Sequence, residues 1–155
     1  MIVSFDLDDT LFISPERTKA EKPVAFPFRL IFHDRLRAGT KQLFAYLCEN
    51  GISVWIYTTS FRSEFYIRTL FRLYGLKLDK IINGEVHRKQ VQGDRNEAMP
   101  SKYPSRYRIS LHVDDDISVL KNGSTYGFNV YLINDTDEEW VENIIKKIKA
   151  ISLLP

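Results

Sequence analysis

The chain has a single cysteine, Cys48, in 155 residues. An intramolecular disulfide is therefore excluded, and a reducing compartment is the expected setting. Cys48 falls near the apolar side of a helical pattern with no basic neighbour to activate it, so it is expected to fill core space. Histidine is also scarce. His33, His87 and His112 lie far from one another and from Cys48, which excludes the short ligand spacings of a zinc site, and His112 is expected to be a packed or surface-facing strand residue. No apolar run approaches the roughly 18 residues of a membrane span, and the first strand opens at Ile2 with no basic leader before it. A cytoplasmic protein with no membrane partner is expected.

Net charge is also small, at +2, but unevenly placed. Residues 16–37 carry six Lys or Arg against three acids, and residues 62–108 carry eleven against five. From residue 109 onward the balance reverses, with eight acids against four bases, and three of those acids are the consecutive Asp114, Asp115 and Asp116. Basic loops facing an acidic pocket would account for this division.

Short apolar, β-rich runs alternate with amphipathic stretches, the pattern of an α/β domain in three layers around a mainly parallel sheet. Five strands are expected, at 2–7, 52–57, 81–82, 109–113 and 128–133. One helix is expected from an N-cap at Thr40 to Gly51, and a second over 63–74 with Phe65, Leu70, Phe71 and Leu73 inward. A third is expected over 137–150, its acids at the start and its lysines at the end, as the helix dipole favours. No repeat or linker interrupts the chain, so residues 1–155 read as a single domain. Two Pro- and Gly-containing segments fit neither period: 12–38, long enough for a small flap, and the basic loop 84–108. Loops of that length in a compact domain are usually functional or mobile.

Chemistry concentrates at the ends of the strands. Ile2-Val3-Ser4-Phe5 runs straight into Asp6-Leu7-Asp8-Asp9-Thr10, so two carboxylates sit where a buried strand reaches solvent. Thr58, Thr59 and Ser60 follow the second strand, Lys102 lies in the long loop, and Asp114 with Asp115 follows the fourth strand. In an open α/β sheet the reactive crevice lies beyond the carboxyl ends of the strands. A phosphoryl-transfer site needs what these stations offer: a nucleophile, a proton carrier, a hydroxyl donor, a mobile positive charge and hard oxygen ligands for a divalent cation. Asp6 is the candidate nucleophile, Asp8 the candidate acid and base, Thr58 or Thr59 the phosphate-binding hydroxyl, and Lys102 or Lys89 the cation. Asp6, Asp8, Asp114 and Asp115 are the candidate metal ligands, and Asp116 reads as a helix cap.

These motifs resemble those of the haloacid dehalogenase superfamily of phosphatases and phosphotransferases. Asp6-Leu7-Asp8-Asp9-Thr10 is similar to the family's first motif, Val54-Trp55-Ile56-Tyr57-Thr58 to its second, Lys102 to its third and Leu111-His112-Val113-Asp114-Asp115 to its fourth. The resemblance implies a Rossmann-like fold and Mg2+. It implies that Asp6 is both nucleophile and metal ligand, that Asp8 binds the metal through its backbone carbonyl, that Asp114 is a direct ligand and that Asp115 acts through water. The second Asp of the first motif favours phosphate esters over halides, since a halide leaves without a proton. The short intervals where relatives insert cap domains imply a capless member.

A Mg2+-dependent phosphatase working through an aspartyl-phosphate on Asp6 is thus the expected function. An open site suits a phosphorylated macromolecule, although nucleotides and small metabolites fit the same chemistry. The competing expectations are a non-catalytic phosphate- or partner-binding module of the same fold and a protein that binds polynucleotide ends through its basic loops.

Overall fold

A computed structural model describes residues 1–153. Five parallel strands, β1 Ile2–Phe5, β2 Ser53–Tyr57, β3 Lys80–Ile82, β4 Leu111–Asp114 and β5 Val130–Leu132, form one sheet in the order β3-β2-β1-β4-β5. The chain builds outward from β1 on one side, then crosses back to add β4 on the other. The point where this direction reverses lies between β1 and β4, and there the loops leaving the strands diverge to open a crevice.

Helices α1 Thr40–Glu49, α2 Glu64–Leu73, α3 Gly84–His87, α4 Ile117–Tyr126 and α5 Trp140–Ser152 connect or follow the strands. The two faces of the sheet differ in chemistry. Val3, Phe5, Val54, Ile56, Ile81, Leu111 and Val113 belong to one large apolar core that includes Leu43, Phe44 and Leu47 of α1, Ile67, Leu70 and Phe71 of α2, and Ile144 and Ile148 of α5. Alternate residues point the other way. There a smaller cluster of Tyr57, Ile82 and Ile109 is joined by Trp55, Val86 and Tyr107, with the buried Ser4 and His112 on the same face.

Several sequence expectations are corrected. The cap of α1 is Gly39, at φ 92°, while Thr40 begins the helix and donates its hydroxyl to the Arg37 carbonyl at 2.7 Å. Cys48 is exposed: it lies one residue beyond Leu47 in the buried stripe 40-43-44-47, about 100° around the helix. In α2 the buried stripe is Ile67, Leu70 and Phe71, so Phe65 points outward, 77% exposed, and Leu73 is half-buried. α5 starts at Trp140, and Asp137, ahead of it, accepts a hydrogen bond from Tyr131. α4 escaped the periodicity because its buried residues are only Val119 and Gly123; its cap is Asp116, which accepts from the Ser118 N–H at 2.7 Å. The basic segment 84–108 is largely ordered into α3, a wide turn over Arg88–Gln92 and a 3-10 turn over Pro104–Tyr107.

That segment is held to the polar-aromatic face. The Tyr57 hydroxyl lies 2.6 Å from His87 Nδ1 and accepts the Tyr103 N–H at 2.8 Å, which fixes the backbone next to Lys102. Gly84 presses against the loop after β2, donating its N–H to the Ser60 carbonyl at 2.8 Å, so closely that an added Cβ would overlap the Thr59 carbonyl oxygen.

Two outcomes follow from this packing. Gly84→Ala should lower unfolding stability by about 1–3 kcal/mol in urea titration, because neither backbone can yield cheaply; an unchanged midpoint would show that the loop after β2 is not held there. Burial pushes the His87 imidazole below its ordinary 6.5, a hydrogen bond with the Pro100 backbone opposes this, and the Lys102 charge adds to it. The folded protein therefore favours neutral His87. Its contribution to stability is complete above 6.5 and is lost as pH falls through the depressed value. Denaturant melts between pH 7 and 5 should show that loss, and His87→Asn should flatten it.

Candidate functional site

The end of β1 delivers Asp6 into the crevice. Its N–H is spent on the Val113 carbonyl at 2.9 Å, which registers the end of β1 to that of β4 and brings the Asp6 and Asp114 side chains side by side. The chain then turns sharply. Asp9 adopts φ 56°, and three amides, those of Thr10, Leu11 and Phe12, converge on the Leu7 carbonyl. The turn is tied down by Arg37, whose side chain is 1% exposed: Nε donates to the Thr10 carbonyl at 2.8 Å, one Nη to the Asp9 carbonyl at 3.0 Å and the other to the Asn134 carbonyl at 3.0 Å. The rigid, branched guanidinium presents separate nitrogens to these three carbonyls.

Lys102 reaches the carboxylates from the segment after α3. Its buried Nζ lies 2.8 Å from Asp6 Oδ1 and 2.5 Å from Asp114 Oδ2. Although close to the ammonium, Asp6 Oδ1 accepts no well-directed hydrogen bond and is shielded from solvent. Asp114 is better satisfied. Its Oδ1 accepts the Asp116 N–H at 2.9 Å, and its Oδ2 also takes His112 Nε2 at 2.8 Å. An ionised carboxylate has no proton to give, so Nε2 is the donor, and Nδ1 lies 2.8 Å from the Ser4 hydroxyl. Asp115 is exposed and accepts from the Thr10 hydroxyl at 3.0 Å.

These surroundings split the acids. Burial pushes the Asp6 carboxyl above its ordinary value, the Lys102 charge opposes this, and the neighbouring Asp114 adds to it. Asp115, although exposed as a residue, is raised too, by partial desolvation of its carboxyl at the crevice, with the Thr10 hydrogen bond opposing and Asp114 adding to it. Burial would raise Asp114 as well, but the His112 hydrogen bond and the Lys102 ammonium together hold it at about 2. Burial disfavours the charged Lys102, yet Asp6 and Asp114 outweigh that and raise its affinity for the proton.

Oxygens of Asp6, Asp114 and Asp115 lie within 4.8 Å of one another. Three carboxylates stand against one ammonium, all the candidate donors are hard oxygens, and one buried oxygen lacks a hydrogen bond. Such a donor set fits Mg2+, which takes one or two carboxylates and keeps several waters.

The remaining sequence candidates are distributed around this cluster. Thr58 is buried at the end of β2, and its Oγ1 accepts the Ser60 N–H at 3.1 Å, which leaves its own proton free to donate. Thr59 is exposed. Lys89 is paired with Glu85 at 2.7 Å on the surface and takes no part in the carboxylate cluster. Asp8 is exposed and lies apart from that cluster, held by Arg62 at 2.9 Å.

Arg62 was not anticipated from sequence. It also contacts Ser60 Oγ at 2.9 Å and Asp34 at 3.2 Å, joining the loop after β2 to the 12–38 segment. Its position four residues past Thr58, next to the N-cap Ser63, was the available signal. His112, Arg37 and Asp34 are further neighbours that no spacing rule singled out.

No family model matches the sequence, and no curated protein matches it. Solved structures do match in shape. A superfamily hydrolase from Geobacter sulfurreducens, subfamily IA, aligns over 84% of this chain and 88% of its own with a TM-score of 0.54 and 12% identity. The haloacid dehalogenase-type domain of the effector protein Lem4 from Legionella pneumophila aligns over 96% and 93%, with a TM-score of 0.52 and 16% identity. A variant of CbbY from Rhodobacter sphaeroides, solved with xylulose-1,5-bisphosphate, aligns over 86% and 85%, with a TM-score of 0.52 and 16% identity. The chain therefore has the fold of the haloacid dehalogenase superfamily of hydrolases.

Proposed function

We propose that the protein is a Mg2+-dependent phosphatase that hydrolyses a phosphate monoester through an aspartyl-phosphate on Asp6. The observation that carries this reading is Asp6 Oδ1: a buried carboxylate oxygen without a directed hydrogen bond, at the switch point of the sheet, facing a lysine and two further acids. The Lys102 charge offsets the burial of this oxygen, and a carboxylate so placed can act as a nucleophile.

In the first step Asp6 attacks phosphorus, the bond from phosphorus to the ester oxygen breaks, and Asp8 gives its proton to the departing alkoxide. In the second, water attacks the acyl phosphate, Asp8 takes a proton from that water, and inorganic phosphate leaves with Asp6 restored. Asp8 is exposed at the turn, where a substrate could displace the Arg62 contact. Thr58 donates its free hydroxyl proton to a phosphate oxygen, and Lys102 offsets charge on the nucleophile and the phosphoryl group. The carboxylates of Asp6, Asp114 and Asp115, with the backbone carbonyl of Asp8, would hold Mg2+, directly or through water. When bound, that ion supplies charge neutralisation for the phosphate oxygens. His112 and Ser4 position Asp114 from beneath, as outer partners of metal ligands commonly do.

Asp6→Asn should abolish Mg2+-supported hydrolysis of an aryl phosphate, by on the order of 10³-fold or more, with the folded far-UV circular dichroism spectrum retained. A fully active purified variant would remove Asp6 from the chemistry. Thr58→Val should reduce kcat/KM by about 10- to 100-fold, the worth of one hydrogen bond to a charged group, whereas Thr59→Val should be near neutral. The reverse order would transfer the phosphate contact to Thr59.

A further inference from the structure

The segment between β1 and α1 carries the least expected surface of the molecule. Val24 and Phe32 are buried, and all seven residues between them, Ala25-Phe26-Pro27-Phe28-Arg29-Leu30-Ile31, are exposed. Four are large and apolar, with Phe26 at 68%, Phe28 at 46%, Leu30 at 62% and Ile31 at 65%. A run of this kind has no reason to face water unless something covers it.

The prong is ordered. Leu30 N–H donates to the Pro27 carbonyl at 3.0 Å, and the Ile31 and Phe32 amides donate to the Phe28 carbonyl at 3.0 and 2.9 Å. Its root is clamped to α2, with the Phe32 ring 5.1 Å from that of Tyr66 and Asp34 accepting the Tyr66 hydroxyl at 2.9 Å. Its charge has one sign. Residues 22–33 contain Lys22, Arg29 and His33 and no acid, and the Arg29 guanidinium lies 5.8 Å from the centre of the Phe26 ring.

From this we propose that the prong is a docking element for the surface of an anionic lipid bilayer. The lack of a membrane-crossing helix bears on spanning alone. Peripheral binding needs a few apolar side chains that enter the boundary between headgroups and acyl chains, with basic residues at headgroup level, and residues 22–33 offer both. A bilayer needs no shaped groove, only exposed apolar side chains beside basic ones, as at Phe26, Phe28, Leu30 and Ile31 with Arg29. A second copy of this chain meeting the tip would bring together two surfaces on which Lys22 and Arg29 carry charge of the same sign. A nucleic acid would match the charge but find no use for Leu30 and Ile31. The root of the prong also borders the candidate site: His33, Asp34 and Arg35 line a cleft of about 230 Å³ together with Asp8. Docking would therefore turn that rim toward the lipid, a consequence that rests on the hydrolase reading, whereas the docking itself does not.

The test is flotation of the purified full chain with phosphatidylcholine vesicles with and without phosphatidylglycerol, with no activity measured. Binding should be at least about tenfold stronger to the anionic vesicles, and Leu30→Glu/Ile31→Glu should weaken it by about tenfold or more with an unchanged melting curve. Leu153→Glu, at an 84% exposed residue of the C-terminal helix end, adds negative charge elsewhere and should bind as the native chain does. Three outcomes would overturn the proposal: no association with anionic vesicles, equal weakening by Leu153→Glu, or a dimer in light scattering that the double variant disperses. The last would give the prong to a second copy.

Discussion

The buried ammonium of Lys102, between Asp6 and Asp114, is the interaction on which the rest of the site depends. A desolvated lysine is tolerable only with close acidic partners, and a desolvated Asp6 only with a cation. Their mutual need fixes where the chain must go after β3. The segment 84–103 has to cross the end of the sheet to deliver one side chain, and its local order serves that end: Asn83 caps α3, Gly84 permits the close approach to Thr59, and Tyr57 pins Tyr103. Desolvation, with the Asp114 charge adding to it, makes Asp6 and Asp115 hold their protons more tightly than isolated carboxyls, while Asp114, held by His112 and Lys102, does not.

The two faces of the sheet divide the labour. The face toward α1, α2 and α5 buries Val, Ile, Leu and Phe and carries most of the hydrophobic stabilisation. The other face gives up apolar area for Ser4, His112, Tyr57 and Tyr107, which hydrogen-bond or pack edge to face. That exchange places a polar scaffold directly beneath the carboxylates. His112 is the hinge of the arrangement, since it passes the hydroxyl of β1 to the acid at the end of β4.

Sequence reveals some of this and hides the rest for physical reasons. The strands were legible because parallel strands buried on both faces read as apolar runs, and β1 and β4 end in acids that no core would tolerate. Asp6, Thr58, Lys102 and Asp114 could be placed at strand ends or in a connecting loop, but their distances could not, because they depend on register between strands far apart in sequence. α4 was hidden because Gly123, needed where the helix meets Phe128 and Val130, breaks the apolar stripe. Arg37 and Arg62 were hidden because their partners are backbone carbonyls or distant acids, and His112 because its link to Ser4 depends on the pairing of β1 with β4. A basic residue in a loop looks the same in sequence whether it staples a turn or faces solvent, as the buried Arg37 and the exposed Arg29 show.

The central claim is that Asp6 carries the phosphoryl group. It is tested most directly by mixing the protein with Mg2+ and an aryl phosphate, quenching in acid during turnover, and mapping phosphorylation by peptide mass spectrometry. The account predicts one phosphoryl group on Asp6 that disappears as substrate is exhausted. Sustained phosphate release with Asp6 unmodified at every quench time, or with the label on another residue, would contradict it.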